Sequence, residues 1–205
     1  MYIRIKRILD FILALIGFIV LMPVFMIIII AIKLDSKGPV IFQQKRVGKN
    51  KTYFNIYKFR TMRHDTPHDL PTHLFTNPED YITHVGRFLR KTSLDELPQL
   101  VNIIKGDMAI VGPRPALWNQ YDLIAERDKY GANDIRPGLT GWAQINGRDE
   151  LSVFEKAMFD GEYVEKLGFL IDARCFFITI INVFRRDGVR EGAISNPTKD
   201  GCSPN

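Results

Sequence analysis

The string Ser93-Leu94-Asp95-Glu96-Leu97-Pro98 sets two carboxylates side by side at the start of an apolar, helically spaced run. On a helix, adjacent side chains diverge by about 100°. One carboxylate can then act as nucleophile or base while its neighbour holds a divalent cation. Magnesium suits such a pair, because it takes one or two carboxylates and completes its shell with substrate phosphates. The plain alternative is a capping box: Ser-x-x-Glu at a helix start satisfies backbone donors, and acids are routine in a first turn.

Two further strings offer cations. Gly112-Pro113-Arg114-Pro115 clamps an arginine between prolines, which lowers the entropy cost of presenting its guanidinium to an anion; a stiff turn with a solvated arginine fits equally. In Lys58-Phe59-Arg60-Thr61-Met62, alternation puts Lys58 and Arg60 on one strand face, suited to phosphates or to protecting an edge. His64, Asp65, His68, Asp69 and His73 have the types and spacing of metal ligands, but Pro67 breaks the helix that would align them. No dinucleotide fingerprint, P-loop or Gly-x-Ser-x-Gly elbow is present.

The elements that must position these residues begin with a run of 22 uncharged residues, 11–32, long enough for a membrane segment. Met22-Pro23 interrupts it, so a kink or break is expected there. Basic residues flank both ends (Arg4, Lys6, Arg7; Lys33, Lys37), whereas a simple span concentrates them on one side. A re-entrant hairpin and a Pro-kinked span both fit. Residues 39–44 and 53–60 read as a β-hairpin around Gly48-Lys49-Asn50-Lys51, and 64–80 as a Pro-rich loop. Helices are expected at 86–91, 97–104, from Pro115 to about 130, at 151–166 and at 172–186. Residues 142–146 read as a short extended piece, and a mobile polar tail follows from Asp187. The 172–186 helix is apolar around most of its circumference, so it is buried or lies against lipid.

The whole chain of 205 residues has a formal net charge of +5, yet residues 36–64 hold eight basic and no acidic side chains. The remainder, with 20 Lys and Arg against 23 Asp and Glu, carries −3. The positive charge is therefore local, and suits anionic lipid, nucleic acid or a phosphorylated substrate. With Tyr53 and Tyr57 as the sole ring pair for stacking on the hairpin, nucleic acid is not expected as a partner. Two cysteines cannot build a disulfide framework, and 46% apolar residues exclude wholesale disorder.

Taken in order, several strings resemble the monotopic phosphoglycosyl transferases among the bacterial sugar transferases. They are Lys6-Arg7-x-x-Asp10, Gly38-Pro39-Val40-Ile41-Phe42-x-Gln44-x-Arg46-x-Gly48, Phe54-x-Ile56-Tyr57-Lys58-Phe59-Arg60-Thr61-Met62 and Gly86-Arg87-x-x-Arg90-x-x-Ser93 through Leu100. Gly106-Asp107-Met108, Val111 through Pro115, and Arg136-Pro137-Gly138-Leu139-Thr140-Gly141-Trp142-Ala143-Gln144-x-Asn146-Gly147-Arg148 complete the set, which covers most of residues 1–175. Larger relatives carry extra membrane helices before this unit, and this chain is similar to the minimal form. Met22 stands where close relatives often have Ser, and the usual aromatic-rich stretch near 152–163 is altered.

The resemblance implies an α/β membrane-associated fold. A re-entrant helix-break-helix at residues 1–35 precedes a catalytic domain at 36–186 with interfacial helices, and a polar tail follows at 187–205. It implies transfer of a phosphosugar from a UDP-sugar to a membrane polyprenyl phosphate, with release of UMP, on the cytosolic face of the bacterial inner membrane. By the same resemblance Asp95 is the nucleophile and Glu96 the Mg2+ ligand, and Arg114 grips nucleotide phosphates. Lys58, Arg90 and Arg148 are further anion-binding candidates, and Asp160 and Asp172 are family-like acids assigned to substrate binding. Anionic phospholipids are expected partners, and a homodimer is left open. The reading from a different class is a non-catalytic monotopic anchor whose basic hairpin binds anionic lipid, which leaves Asp95-Glu96 and the Pro-Arg-Pro string without work.

Overall fold

The computed structural model describes residues 2–63, 66, 81–147 and 150–185. Among these residues it is a mixed α/β arrangement of eight α-helices and two small two-stranded sheets. The expected loop at 64–80 (Thr66 apart), the tail from Asp187 and Arg148 lie outside the described residues.

The apolar N-terminal run forms α1 (Tyr2–Val20) and α2 (Met22–Asp35), which meet at an angle of 61°. No single helix among the described residues is long and apolar enough to cross a bilayer; the bent pair together has that length and composition. The break centres on Leu21, just upstream of the expected Met22-Pro23. A proline ring clashes with the preceding turn, so the distortion falls before it, while Pro23 itself sits in the first turn of α2, where its missing donor costs little. Aromatic packing holds the bend. Phe18 and Phe25, on either side of it, lie edge-to-face with centroids 5.3 Å apart, and Phe25 meets Phe59 of the hairpin at the same distance.

The hairpin pairs β1 (Ile41–Val47) with β2 (Tyr53–Phe59), in register Ile41↔Phe59 to Val47↔Tyr53. Two strands alone are marginal in water, so the hairpin needs cover. Its Ile56 packs with Ala14, Leu100, Ile103 and Met108, and its Phe59 with Phe25, Ile28, Ile32 and Leu89. The outer edge of β2 is closed by α4 (Gln99–Lys105). From there the buried Asn102 accepts from Tyr57 N at 3.0 Å and donates to Asn55 O at 2.8 Å, as a neighbouring strand would. Before it, α3 (His84–Lys91) is capped by Thr83, and its Val85 N–H donates to Asp35 at the end of α2.

The second sheet joins β3 (Ala109–Val111) and β4 (Gly138–Thr140) in parallel. Their contact requires glycine: a Cβ on Gly112 would lie 2.5 Å from the Arg136 carbonyl oxygen. The remaining helices are α5 (Tyr121–Asp128), the one-turn α6 (Trp142–Ile145), α7 (Val153–Glu165) and α8 (Phe169–Arg185). Residues 142–145 are thus helical, and the extended piece lies just before them, because β4 takes its backbone partners from β3. The helix expected from Pro115 starts only at Tyr121, because Leu117 bridges to Arg46 of β1. On α8, Phe169, Leu170, Phe177 and Ile181 are exposed, as are many apolar side chains of α1 and α2.

Candidate active site

Asp95 and Glu96 do not lie in a capped α-helix. Ser93 has the left-handed conformation (φ 55°) and its side chain makes no cap hydrogen bond, so the Ser-x-x-Glu string is not a capping box here. That device belongs instead to Ser152 and Glu155 at the start of α7. Residues Leu94–Glu96 form a single 3-10 turn. With about three residues per turn, Leu94 and Leu97 fall on one face. Both pack into the cluster of Phe59 and Leu89, which turns Asp95 and Glu96 away from it.

The two carboxylates therefore share a partner rather than diverge. Lys58 Nζ, near the end of β2, lies 2.7 Å from Glu96 Oε1 and 3.7 Å from Asp95 Oδ2. Arg114 Nη2 reaches the same Glu96 oxygen at 3.0 Å. Arg114 is placed by backbone anchors on both sides. Pro113 O accepts from Gly138 N in β4 at 2.9 Å, and Ala116 O accepts from Val47 N in β1 at 2.9 Å. Arg90, on the last turn of α3, donates from Nε to Thr61 Oγ1 at 2.9 Å, and its charge is felt at Asp95. The α3–β2 approach depends on Gly86, whose Cβ would clash with the Thr61 carbonyl.

Burial raises the Asp95 pKa, and the neighbouring Glu96 charge adds to the rise; Lys58, Arg90 and Arg114 oppose it without cancelling it. Asp95, 9% exposed, is thus a partly desolvated carboxylate ringed by cations. Such a group can attack an electrophilic phosphorus whose negative oxygens the cations hold. The donor set also fits magnesium, which needs only one or two carboxylate oxygens from protein when phosphates supply others. Among the described residues no group of three or more His, Cys, Asp or Glu could hold a metal, and the His64–His73 ligands lie outside them.

Several expected residues have other partners. Arg60 does not share the Lys58 face; β2 ends at Phe59, and the buried Arg60 guanidinium donates to the Ser36 and Lys37 carbonyls, fixing the exit from α2. Asp160 is buried against Arg127, with Oδ2 2.6 Å from Nη2. Asp172 accepts from Tyr2, Lys6 and Tyr163, tying the start of α1 to α8. The structure gives Asp160 and Asp172 framework partners and does not join them to the Lys58–Glu96 group. Nor does the open cleft of about 290 Å3 at the hairpin tip, lined by Lys49, Asp107 and Arg136 among others, include any of that group.

One residue of the neighbourhood was not singled out from the sequence. Arg46 donates to Pro115 O at 3.0 Å and to Gln44 Oε1 at 2.6 Å, while its buried Nε has no partner among the described residues. Burial and the nearby Arg114 charge push its pKa down to about 10, against the pull of Glu96. Strand alternation carried the signal: Gln44 and Arg46 share a face, and the pairing places Lys58, opposite Phe42, on that same face.

The sequence itself matches a known family. The chain belongs to the bacterial sugar transferases, whose family model matches residues 1–186. It is 38% identical over 188 residues to the undecaprenyl-phosphate glucose phosphotransferase of Komagataeibacter xylinus, covering 85% of this chain and 35% of that protein. It is 40% identical over 187 residues to the UDP-glucose:undecaprenyl-phosphate glucose-1-phosphate transferase of Escherichia coli, covering 87% and 40%. The exopolysaccharide production protein ExoY of Sinorhizobium fredii matches at 36% over 189 residues, covering 85% and 83%. The chain thus spans well under half of the first two relatives and most of the third.

Proposed function

We propose that this chain transfers a phosphosugar from a UDP-sugar to a membrane polyprenyl phosphate, giving a polyprenyl diphosphate sugar and UMP. The observation that carries the reading is Lys58, which touches both carboxylates of the Asp95-Glu96 pair while Arg114 closes on Glu96. The names of the Komagataeibacter and Escherichia relatives, with their undecaprenyl phosphate and glucose phosphate, supply the substrate class.

The chemistry has two displacements at one phosphorus. An Asp95 carboxylate oxygen attacks the phosphorus that bears the sugar; an O–P bond forms, the bond to the bridging oxygen breaks, and UMP leaves with that oxygen and its electron pair. An oxygen of the polyprenyl phosphate then attacks the same phosphorus, and Asp95 leaves as a carboxylate. A carboxylate approaching phosphate oxygens is repelled, so Lys58, Arg90 and Arg114 must shield it. Glu96, with Asp95 beside it, would hold magnesium together with substrate oxygens, and bound magnesium supplies further positive charge to the diphosphate.

The acceptor is a lipid, and the 61° bend at Leu21 suits a re-entrant hairpin held in one leaflet, with both helix ends on the cytosolic side. The exposed apolar faces of α1, α2 and α8 would then meet lipid, and the basic stretch 36–64 its anionic headgroups. UMP release by detergent-solubilised protein, given magnesium, polyprenyl phosphate and a panel of UDP-sugars, tests the reading. Release with at least one sugar, lost on chelation, is expected; release that needs no lipid acceptor at steady state contradicts it.

A further inference from the structure

The Lys58–Glu96–Arg114 group has a consequence for how substrates enter, resting on the function proposed above. Glu96 Oε1 already accepts two cationic side chains, Lys58 at 2.7 Å and Arg114 at 3.0 Å. Among the described residues, four cations stand around the two carboxylates: Lys58 and Arg114 in direct contact with Glu96, Arg90 felt at Asp95, and Arg46 interacting electrostatically with Glu96 and Arg114. Their formal count is two negative charges against four positive. A lone divalent cation that takes Glu96 Oε1 displaces Lys58 and Arg114 from it and remains among like charges. A nucleoside diphosphate reverses that balance, because its oxygens receive the displaced lysine and arginine and also complete the shell of the cation.

We infer that the divalent cation and the nucleoside diphosphate enter together. Lys58 and Arg114 hold Glu96 in the resting site and pass to the diphosphate oxygens as the cation takes Glu96. Lys58 is the pivot, since its ammonium has three donors on a flexible stem and can change partners with little cost in geometry. Reciprocity then requires each ligand to tighten the other by the same factor.

The test uses the full chain in detergent, Mn2+ as a paramagnetic probe and UDP as the diphosphate. Bound Mn2+ is read by electron paramagnetic resonance, with complex formation between Mn2+ and UDP in solution subtracted. Saturating UDP should tighten Mn2+ binding by roughly tenfold or more, within the usual range of site–site coupling. Lys58→Gln should bind Mn2+ alone more tightly than the wild type and show a smaller gain from UDP. Arg114→Gln, at a side chain 36% exposed, should do the same and stands in if Lys58→Gln fails to fold. Equal Mn2+ affinity with and without UDP overturns the coupling, as does weaker Mn2+ binding in either folded variant. Folded protein that takes up neither Mn2+ nor UDP in any combination overturns the proposed function as well.

Discussion

Lys58 of β2 and Glu96 of the 3-10 turn, 38 residues apart in sequence, meet at 2.7 Å with both side chains largely shielded from water. The pairing joins the basic hairpin to the acidic turn, and Asp95 lies 3.7 Å from the same ammonium. Removing that ammonium exposes two adjacent carboxylates to each other. Lys58→Met should cut turnover by about 10²-fold or more and move the acid limb of the kcat/KM pH profile upward, because the main charge opposing the raised Asp95 pKa is lost.

In the wild type the same limb should lie above the ordinary carboxylate range. As the proposed nucleophile Asp95 must be ionised, and burial raises its pKa. Activity should therefore fall as pH drops through that raised value, and a profile of kcat/KM against pH will place it.

Stability should run the other way. A carboxyl whose pKa is raised by folding holds its proton more tightly in the folded state. Folding is then favoured below the unfolded pKa, and that advantage fades as pH rises through the folded pKa. Asp95→Asn should accordingly melt roughly 2–4 °C higher than wild type at neutral pH, with the difference shrinking in acid, as thermal unfolding followed by circular dichroism can show.

Arg46 acts through its neighbours. It holds the Pro115 carbonyl beside Arg114, so Arg46→Gln should loosen the Arg114 loop and raise the donor KM by about tenfold, with a smaller change in kcat. Arg46→Lys, which keeps the charge but not the fork, should recover only part of the loss. Steady-state kinetics on the three proteins would separate these outcomes.

The Arg127–Asp160 pair should matter to stability and not to the chemistry. Both side chains are almost wholly buried and 2.6 Å apart. Arg127→Leu leaves Asp160 buried without its ion-pair partner and should cost about 3–5 kcal/mol, whereas the double change with Asp160→Leu should recover much of it. Denaturant unfolding of the single and double variants is the measurement.

The hairpin, the break in the apolar run and the Asp95-Glu96 and Pro-Arg-Pro strings were legible in the sequence because each rests on local chemistry: alternation, a proline, adjacent charges. What was not legible depends on contacts between distant segments. Ser93 reads as a cap in sequence, but Leu94 and Leu97 pack against the cluster of Phe59 and Leu89, and the turn that presents both is 3-10. Arg60 looked like a phosphate ligand, but the end of β2 delivers it to the Ser36 and Lys37 carbonyls. Strand β3 is three residues long and exists because β4 lies beside it, so no local pattern marks it. Asp160 and Asp172 were visible as acids, but their partners Arg127, Tyr2 and Lys6 come from other helices.

In the proposed mechanism Asp95 takes the phosphosugar before the lipid does. The direct measurement is a single-turnover reaction of protein with its UDP-sugar in the absence of polyprenyl phosphate, following UMP release and the intact mass of the protein. A burst approaching one UMP per chain is expected, with a matching gain of one phosphosugar located by peptide mapping at Asp95, and neither in Asp95→Asn. No UMP until polyprenyl phosphate is added, or an unchanged burst in Asp95→Asn, would contradict it.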